Sequence, residues 1–217
     1  MSPNIRGQLI VLEGIDGAGK TTQTQLLSAY LTRKGITTEQ IKFPRYETFF
    51  GQLVLRFLNG ELGSIDQVSP YLASIVFALD RSAIKEKLNE LLDKGTTIIL
   101  DRYVGSNMAH QSAKLAAEKR EQYLEWVERL EYKELGLPRE DIVFFMDTPP
   151  LLSKPRLKWR EGKDIHEEDL EYQKKTYEVY EQLSRRYDHW EKIQCMDMDY
   201  NLLSPEKIHQ EIVKKLS

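Results

Sequence analysis

One cysteine, Cys195, occurs in 217 residues. A single thiol makes no internal disulfide and no thiolate metal centre, which leaves packing in a strand as its expected role. The four histidines stand at none of the spacings that metal ligands adopt. No apolar run approaches the roughly 20 residues that a membrane span requires. The stretch Met1-Ser2-Pro3-Asn4-Ile5-Arg6-Gly7 lacks the apolar core of a signal peptide, so the expected location is the cytoplasm. The net charge is only −3 and gives no electrostatic reason to expect nucleic acid as a partner. No Asn-Lys pair occurs, which removes the N-K-x-D signature of guanine-specific switches. There are no internal repeats and no low-complexity linkers, and residues 1–217 read as a single domain with enough chain for a full core.

What the chain does contain is a phosphate loop. Gly14-Ile15-Asp16-Gly17-Ala18-Gly19-Lys20-Thr21 fits G-x-x-x-x-G-K-[ST] at every required position, with Thr22 following. It comes directly after the apolar run Leu9-Ile10-Val11-Leu12, so the context is strand, glycine loop and helix start. The glycines permit positive φ, and consecutive N–H groups can then converge on phosphate oxygens. Lys20 supplies a charge for the β- and γ-phosphates, Thr21 offers a hydroxyl to Mg²⁺, and the helix behind presents its positive end. The competing reading is a plain glycine turn, which the flanking strand and helix signals argue against.

Strand-like runs alternate with longer helical patterns, which points to an α/β fold with a parallel sheet and helices on both faces. The patterns predict strands at about 8–12, 38–43, 97–100, 142–146 and 192–196. Helices are predicted at about 20–34, 70–94, 105–116, 118–134 and 167–188. A last helix opens with Ser204 as cap and Pro205 at its first position, burying Ile208, Ile212 and Leu216. Ligands of open parallel sheets sit beyond the carboxyl ends of the strands. Asp16, Phe43-Pro44, Asp101-Arg102 and Asp147 all fall just past such ends, so four segments are expected to converge on one cleft.

Asp101 is suited to holding Mg²⁺ through water and Arg102 to gripping a phosphate bidentately; a structural ion pair at a strand end is the alternative. Phe77 and Arg81 are four apart on one helix face, a ring and a guanidinium placed to read a base, or, more blandly, a continuation of the stripe Ile84, Leu88, Leu91. The run Arg156, Lys158, Arg160, Lys163 precedes Asp164, Glu167, Glu168 and Asp169. It reads either as a solvated surface or as a lid over about 155–167, with Pro155 suited to a hinge. The set Tyr177, Tyr180, Tyr187 and Trp190 reads as core or interface packing, and His189 and His209 as surface residues.

Taken together, these pieces resemble the thymidylate kinase family over nearly the whole chain. The resemblance is carried by Leu12 to Thr22, by Phe43-Pro44, by Phe77-Ala-Leu-Asp-Arg81, by Asp101-Arg-Tyr-Val-Gly-Ser-Asn-Met-Ala-His-Gln111, and by the basic segment with its acidic helix start. It implies a P-loop NTPase fold with strand order 2-3-1-4-5 and a lid, phosphorylation of dTMP to dTDP with ATP and Mg²⁺, and a homodimer. It further implies that Asp16 lies between the two nucleotides, near the sugar 3′-hydroxyl and the metal, which Thr21 and Asp101 also hold. Phe77 would stack on thymine, Arg81 would bond its O4, and Arg102 would hold the monophosphate. Ser106, Asn107 and Gln111 would lie near the base, His110 near the sugar, and Phe43, Pro44 and Arg45 along the acceptor. Lys20, Arg102, Arg156 and Arg160 form the implied catalytic set. Three departures stand out. The eukaryotic branch reads F-P-x-R, whereas Arg45 here directly follows Pro44. Gly17 replaces that branch's phosphate-loop arginine, which matches the mostly bacterial branch with a lid arginine. His110 stands where many relatives carry Tyr or Phe. The rival readings are another nucleoside monophosphate or deoxynucleoside kinase, and a non-catalytic nucleotide switch.

Overall fold

The computed structural model describes residues 6–63, 67–151 and 170–216. The lid segment, with Arg156 and Arg160, lies outside these residues. Five strands, β1 (Leu9–Glu13), β2 (Thr38–Lys42), β3 (Thr97–Asp101), β4 (Ile142–Asp147) and β5 (Trp190–Gln194), form one sheet in the order β2-β3-β1-β4-β5. All neighbours are parallel, as the strand–helix alternation and the resemblance both imply. The central strands β1 and β3 are buried along their whole length, because helices cover both faces. The edge strand β2 is half exposed and carries the polar sequence Thr-Glu-Gln-Ile-Lys.

The helices are α1 (Lys20–Arg33), α2 (Phe49–Leu58), α3 (Pro70–Ser82), α4 (Lys85–Asp93), α5 (Val104–Ser112), α6 (Ala117–Glu128), α7 (Leu170–Arg186) and α8 (Pro205–Leu216). A π-helical turn, Arg129–Glu134, continues α6, with Leu135 N–H donating to Leu130 C=O at 2.9 Å. Helices α1 and α8 pack together on one face of the sheet. On the other face, α5 packs against α3, α6 and α7. Leu9, Ile10, Leu12, Ile99, Leu100, Phe144 and Phe145 are among the residues the sheet gives to the main core. A second, smaller cluster of Val54, Phe57, Leu58 and Ala73 fastens α2 to α3.

Four details differ from the pattern reading. The span 70–94 is two helices, interrupted at Ala83-Ile84, where no glycine or proline signals a break. The break lets α3 keep Arg81 buried while α4 sends Leu88 and Leu92 into the main core. Helix α2 lies in a stretch where no element is predicted, and Gly51 in its first turn does not break it. The lack of a side chain at Gly51 is required: a Cβ there would lie 1.7 Å from Arg45 C=O. The fifth strand ends at Gln194, so Cys195 lies one residue past it, buried nonetheless. His189 and His209 are half-buried rather than surface residues, His209 standing edge-on to Tyr30 at 5.8 Å.

Candidate active site

The loop after β1 has its glycines where the backbone needs them: Gly14, Gly17 and Gly19 have φ of 142°, 79° and 91°. Residues 14–19 therefore curl over the start of α1, and Lys20 is turned back into the curl. Its Nζ donates to Gly14 C=O at 2.9 Å and Ile15 C=O at 2.7 Å. Burial lowers its pKa to about 8, with Arg102 adding repulsion and Asp16, Asp101 and Glu13 working the other way.

Two further strand ends, those of β2 and β3, meet this loop. Thr21, in the first turn of α1, donates its hydroxyl to Asp101 Oδ2. The other carboxylate oxygen, Asp101 Oδ1, is buried without a hydrogen-bond partner among the described residues. Lys42, paired in register with Asp101, brings its Nζ to 3.7 Å from Asp101 Oδ2 and 3.5 Å from Thr21 Oγ1. From the residue after β3, Arg102 Nη2 reaches Asp16 Oδ1 at 2.5 Å. Burial opposes ionisation of Asp16, but Arg102, then Lys20 and His110, outweigh it and hold the carboxyl well below its ordinary range. Arg102 has φ of 74°, a left-handed backbone uncommon for an arginine. That conformation aims its side chain back over the loop, where Nη1 donates to Gly14 C=O at 3.1 Å and Ser106 Oγ at 3.0 Å. His110 Nε2 and Tyr180 OH lie 3.4 Å from the same nitrogen.

Beneath Arg102 lies Glu13, fully buried at the end of β1. Its carboxylate accepts from Tyr103 N–H (2.8 Å), Ser106 N–H (2.9 Å), Ser106 Oγ (2.6 Å) and Tyr180 OH (2.9 Å). This residue joins β1, the start of α5 and α7 in one polar knot. Neither Glu13 nor Lys42 was singled out in the sequence. The signal for both was available: each sits at a strand end, as Asp101 does. Tyr180, read as packing, is in the core but also donates its hydroxyl to this knot. Asp147, at the end of β4, is tied to the neighbouring elements instead, accepting from Tyr177 OH at 2.5 Å and pairing with Lys192 at 3.1 Å.

A second polar group lies along α3 and α5. Arg81 reads from the sequence as a guanidinium placed to meet a base. Its Nε and Nη2 donate to the two carboxylate oxygens of Glu131, each at 2.6 Å. A buried guanidinium without a counter-charge would be costly, and Glu131 on the π-helical turn supplies that counter-charge. Asn107 Nδ2 donates to Glu131 Oε1 at 2.7 Å and to Ser74 C=O at 3.1 Å. Asn107 Oδ1 and Gln111 Oε1 are buried acceptors without partners among the described residues. Phe77 is half-buried and stands edge-on to Phe57, 5.9 Å between centroids. Arg45 follows the cis Phe43-Pro44 peptide. Its Nη2 donates to Asp80 C=O at 2.6 Å and Asp80 Oδ1 at 3.0 Å, and its N–H to Asp80 Oδ2 at 2.9 Å. Ser106 and Asn107, adjacent on α5, bridge the phosphate-loop group and the Arg81 group.

This geometry sets a phosphate cradle beside a region lined with fixed donors and acceptors. A sequence model described as thymidylate kinase matches residues 12–212. Thymidylate kinase of Plasmodium falciparum is 31% identical over 212 residues, 98% of this chain and 90% of its own. That of Schizosaccharomyces pombe is 32% identical over 217 residues, 100% of this chain and 95% of its own. The solved thymidylate kinase of Candida albicans superposes with a TM-score of 0.76 at 24% identity, covering 97% of this chain and 91% of that one, and bears on the fold alone. A match running from the end of β1 into the last helix, with relatives of similar length aligned almost end to end, makes this chain a member of the thymidylate kinase family of phosphotransferases.

Proposed function

We propose that this cleft transfers the γ-phosphoryl group of ATP in line to the phosphate of dTMP, with the phosphate loop holding the donor and the α3–α5 side holding the acceptor. The observation that carries this reading is the Asp16–Arg102 pair, which puts a guanidinium beside the loop and, through Ser106, next to the α5 side of the cleft. Loop N–H groups, Lys20 and Thr21 bind the triphosphate. When phosphates arrive, Lys20 exchanges the loop carbonyls Gly14 and Ile15 for phosphate oxygens. Arg102, whose planar fork suits a phosphate, orients the acceptor phosphate for attack. Residues Phe43, Pro44 and Arg45 line the acceptor, Phe77 faces the base, and His110 and Asp16 flank the sugar, with Ser106, Asn107 and Gln111 on the base side.

A divalent cation fits the donor set. Asp101 Oδ1 has no partner among the described residues, and the Thr21 hydroxyl lies against the same carboxylate. Among the described residues no group of three or more His, Cys, Asp or Glu forms a cage. Mg²⁺ suits the Thr21–Asp101 pair because it keeps waters and uses substrate phosphates as ligands. Thr21, Asp101 and Asp16 would hold the ion, which when bound neutralises charge on the transferring phosphoryl group.

We assign the catalytic arginine to the lid over about 155–167, on Arg156 or Arg160, because Gly17 leaves the phosphate loop without an arginine to reach the γ-phosphate. We read residues 1–217 as one kinase domain and the enzyme as a cytoplasmic homodimer. Support for the dimer comes from the α2–α3 side, where Phe49, Leu72 and Ile75 are exposed. Among the described residues no helix is long and apolar enough to cross a membrane. The test is ADP release in a coupled assay. Release that requires both dTMP and Mg²⁺ supports the reading, and release independent of dTMP overturns it.

A further inference from the structure

We propose that Glu131 is a positioning residue that fixes the hydrogen-bond polarity of the pair reading the acceptor base, Arg81 and Asn107. The proposal rests on the reading above, with Asn107 on the base side, and on the contact to the base O4 that the family resemblance implies for Arg81. It starts from a count of hydrogens. The Asn107 amide has two, and both are committed to acceptors: Glu131 Oε1 at 2.7 Å and Ser74 C=O at 3.1 Å. Turning the amide over would set its oxygen against those two oxygens. Glu131, at the shorter distance, and Ser74 C=O together therefore make Asn107 Oδ1 the end left to accept, and that oxygen is buried without a partner among the described residues. On Arg81 the carboxylate takes Nε and Nη2, each at 2.6 Å, so Nη1 is the donor nitrogen outside the fork. The carboxylate, with Ser74 C=O, thus leaves a donor on one residue and an acceptor on the other.

That pair of leftovers complements an imide edge. Thymine and uracil offer a C4 carbonyl to accept and an N3–H to donate. Cytosine offers the reverse at both positions, an amino group and a bare N3. A buried site with the wrong polarity leaves its own groups unpaired, which is how hydrogen-bonding sites reject near-isosteres. Glu131 is suited to the task because it is fully buried and carried on the π-helical turn Arg129–Glu134 rather than on a continued α-helix. Such turns re-aim a side chain out of the helical register and recur at functional sites. A glutamine at this position would keep the volume but bring an NH₂ of its own, and the Asn107 orientation would then rest on Ser74 C=O alone, the longer of its two contacts at 3.1 Å.

The experiment compares kcat/KM for dTMP, dUMP and dCMP in the wild type, Glu131→Gln and Glu131→Asp. In Glu131→Gln the dTMP:dCMP ratio is expected to fall at least about tenfold, the size expected when one buried hydrogen bond loses its specificity. The dTMP:dUMP ratio should stay within about twofold, because the two bases share the edge being read. Glu131→Asp keeps an acceptor-only carboxylate and should recover most of the dTMP:dCMP ratio. Equal losses on all three acceptors would show that Glu131 only balances the charge of Arg81 and would overturn the proposal. A wild type that does not prefer dTMP to dCMP would remove the base-side reading itself. A strong wild-type preference left unchanged in Glu131→Gln removes only the role of Glu131. Should the variants not fold, hydrogen exchange of the Asn107 side-chain NH₂ in the wild type decides. Slow exchange with and without dTMP is expected, and fast exchange in the free enzyme would contradict the committed amide.

Discussion

Asp16 and Arg102 meet at 2.5 Å across the phosphate loop, one from the turn after β1 and the other from the residue after β3. The pair joins two strand ends that are adjacent in the sheet, where Leu12 is in register with Asp101. Arg102 reaches it only through its left-handed backbone, and strain of this kind is kept where a side chain must be aimed. With Asp16 charged and Ser106 and Gly14 C=O around Nη1, the guanidinium is held in place before any phosphate arrives.

Arg102→Lys should therefore fail to substitute. Lysine keeps the charge but lacks the planar fork, and one charged hydrogen bond lost to phosphate corresponds to about a 10- to 100-fold fall in kcat/KM for dTMP. Steady-state kinetics on the variant check this. Near-wild-type turnover would reduce Arg102 to a structural ion pair.

Lys20 gives a pH signature. In the free enzyme, burial brings its pKa down to about 8. It is an ammonium below that pH and increasingly neutral above it. A bound triphosphate stabilises the ammonium, so binding takes up a proton above pH 8. ATP affinity should be flat below about pH 8 and fall as pH rises through it, by up to about tenfold per pH unit. Calorimetry in buffers of different ionisation enthalpy reads the proton directly. Affinity that stays constant to pH 10 would contradict the assignment.

Asp80 latches the segment after β2. It is almost fully buried, and it takes both the backbone N–H and the side chain of Arg45. Removing one partner of a buried pair leaves an uncompensated charge, so Asp80→Ala should cost about 3 kcal/mol of stability. KM for dTMP should rise at the same time, because the 43–45 segment loses its anchor. Thermal unfolding and kinetics on the same variant check both. A stable variant with unchanged KM would leave Arg45 without a role on the acceptor.

For the lid, Arg156→Ala or Arg160→Ala should lower kcat at least about 100-fold with little change in dTMP affinity, as loss of a transition-state arginine does. Lys158→Ala should be milder. Single-turnover kinetics with separate binding measurements distinguish the cases. A double arginine variant with normal turnover would move catalysis to Arg102 and Arg45.

The sequence carried the phosphate loop in full, because glycine spacing and a following Lys-Thr state a steric and electrostatic requirement that is local. Strand order came with the family resemblance, and strand ends came from apolar runs stopping at Asp101 and Asp147. What stayed hidden depends on pairing across distance. Glu131 is 50 residues from Arg81 and sits among Glu128 and Glu134 on a helical stretch, where one glutamate looks like the next. Its burial is decided by the π-helical turn, which leaves no mark in the residue pattern. The break at Ala83-Ile84 is likewise set by packing, since nothing in that stretch disfavours helix. Tyr180 looked like core and is core; its hydroxyl finds Glu13 only after α7 has docked on the sheet.

The central claim is that the cleft selects dTMP, and the most direct measurement is kcat/KM across the nucleoside monophosphates in one coupled ADP-release assay. The account predicts dTMP first, dUMP accepted on the same edge contacts, and dCMP lower by at least about 100-fold, because both base-facing groups would then be mispaired. Comparable kcat/KM on dCMP and dTMP would contradict it.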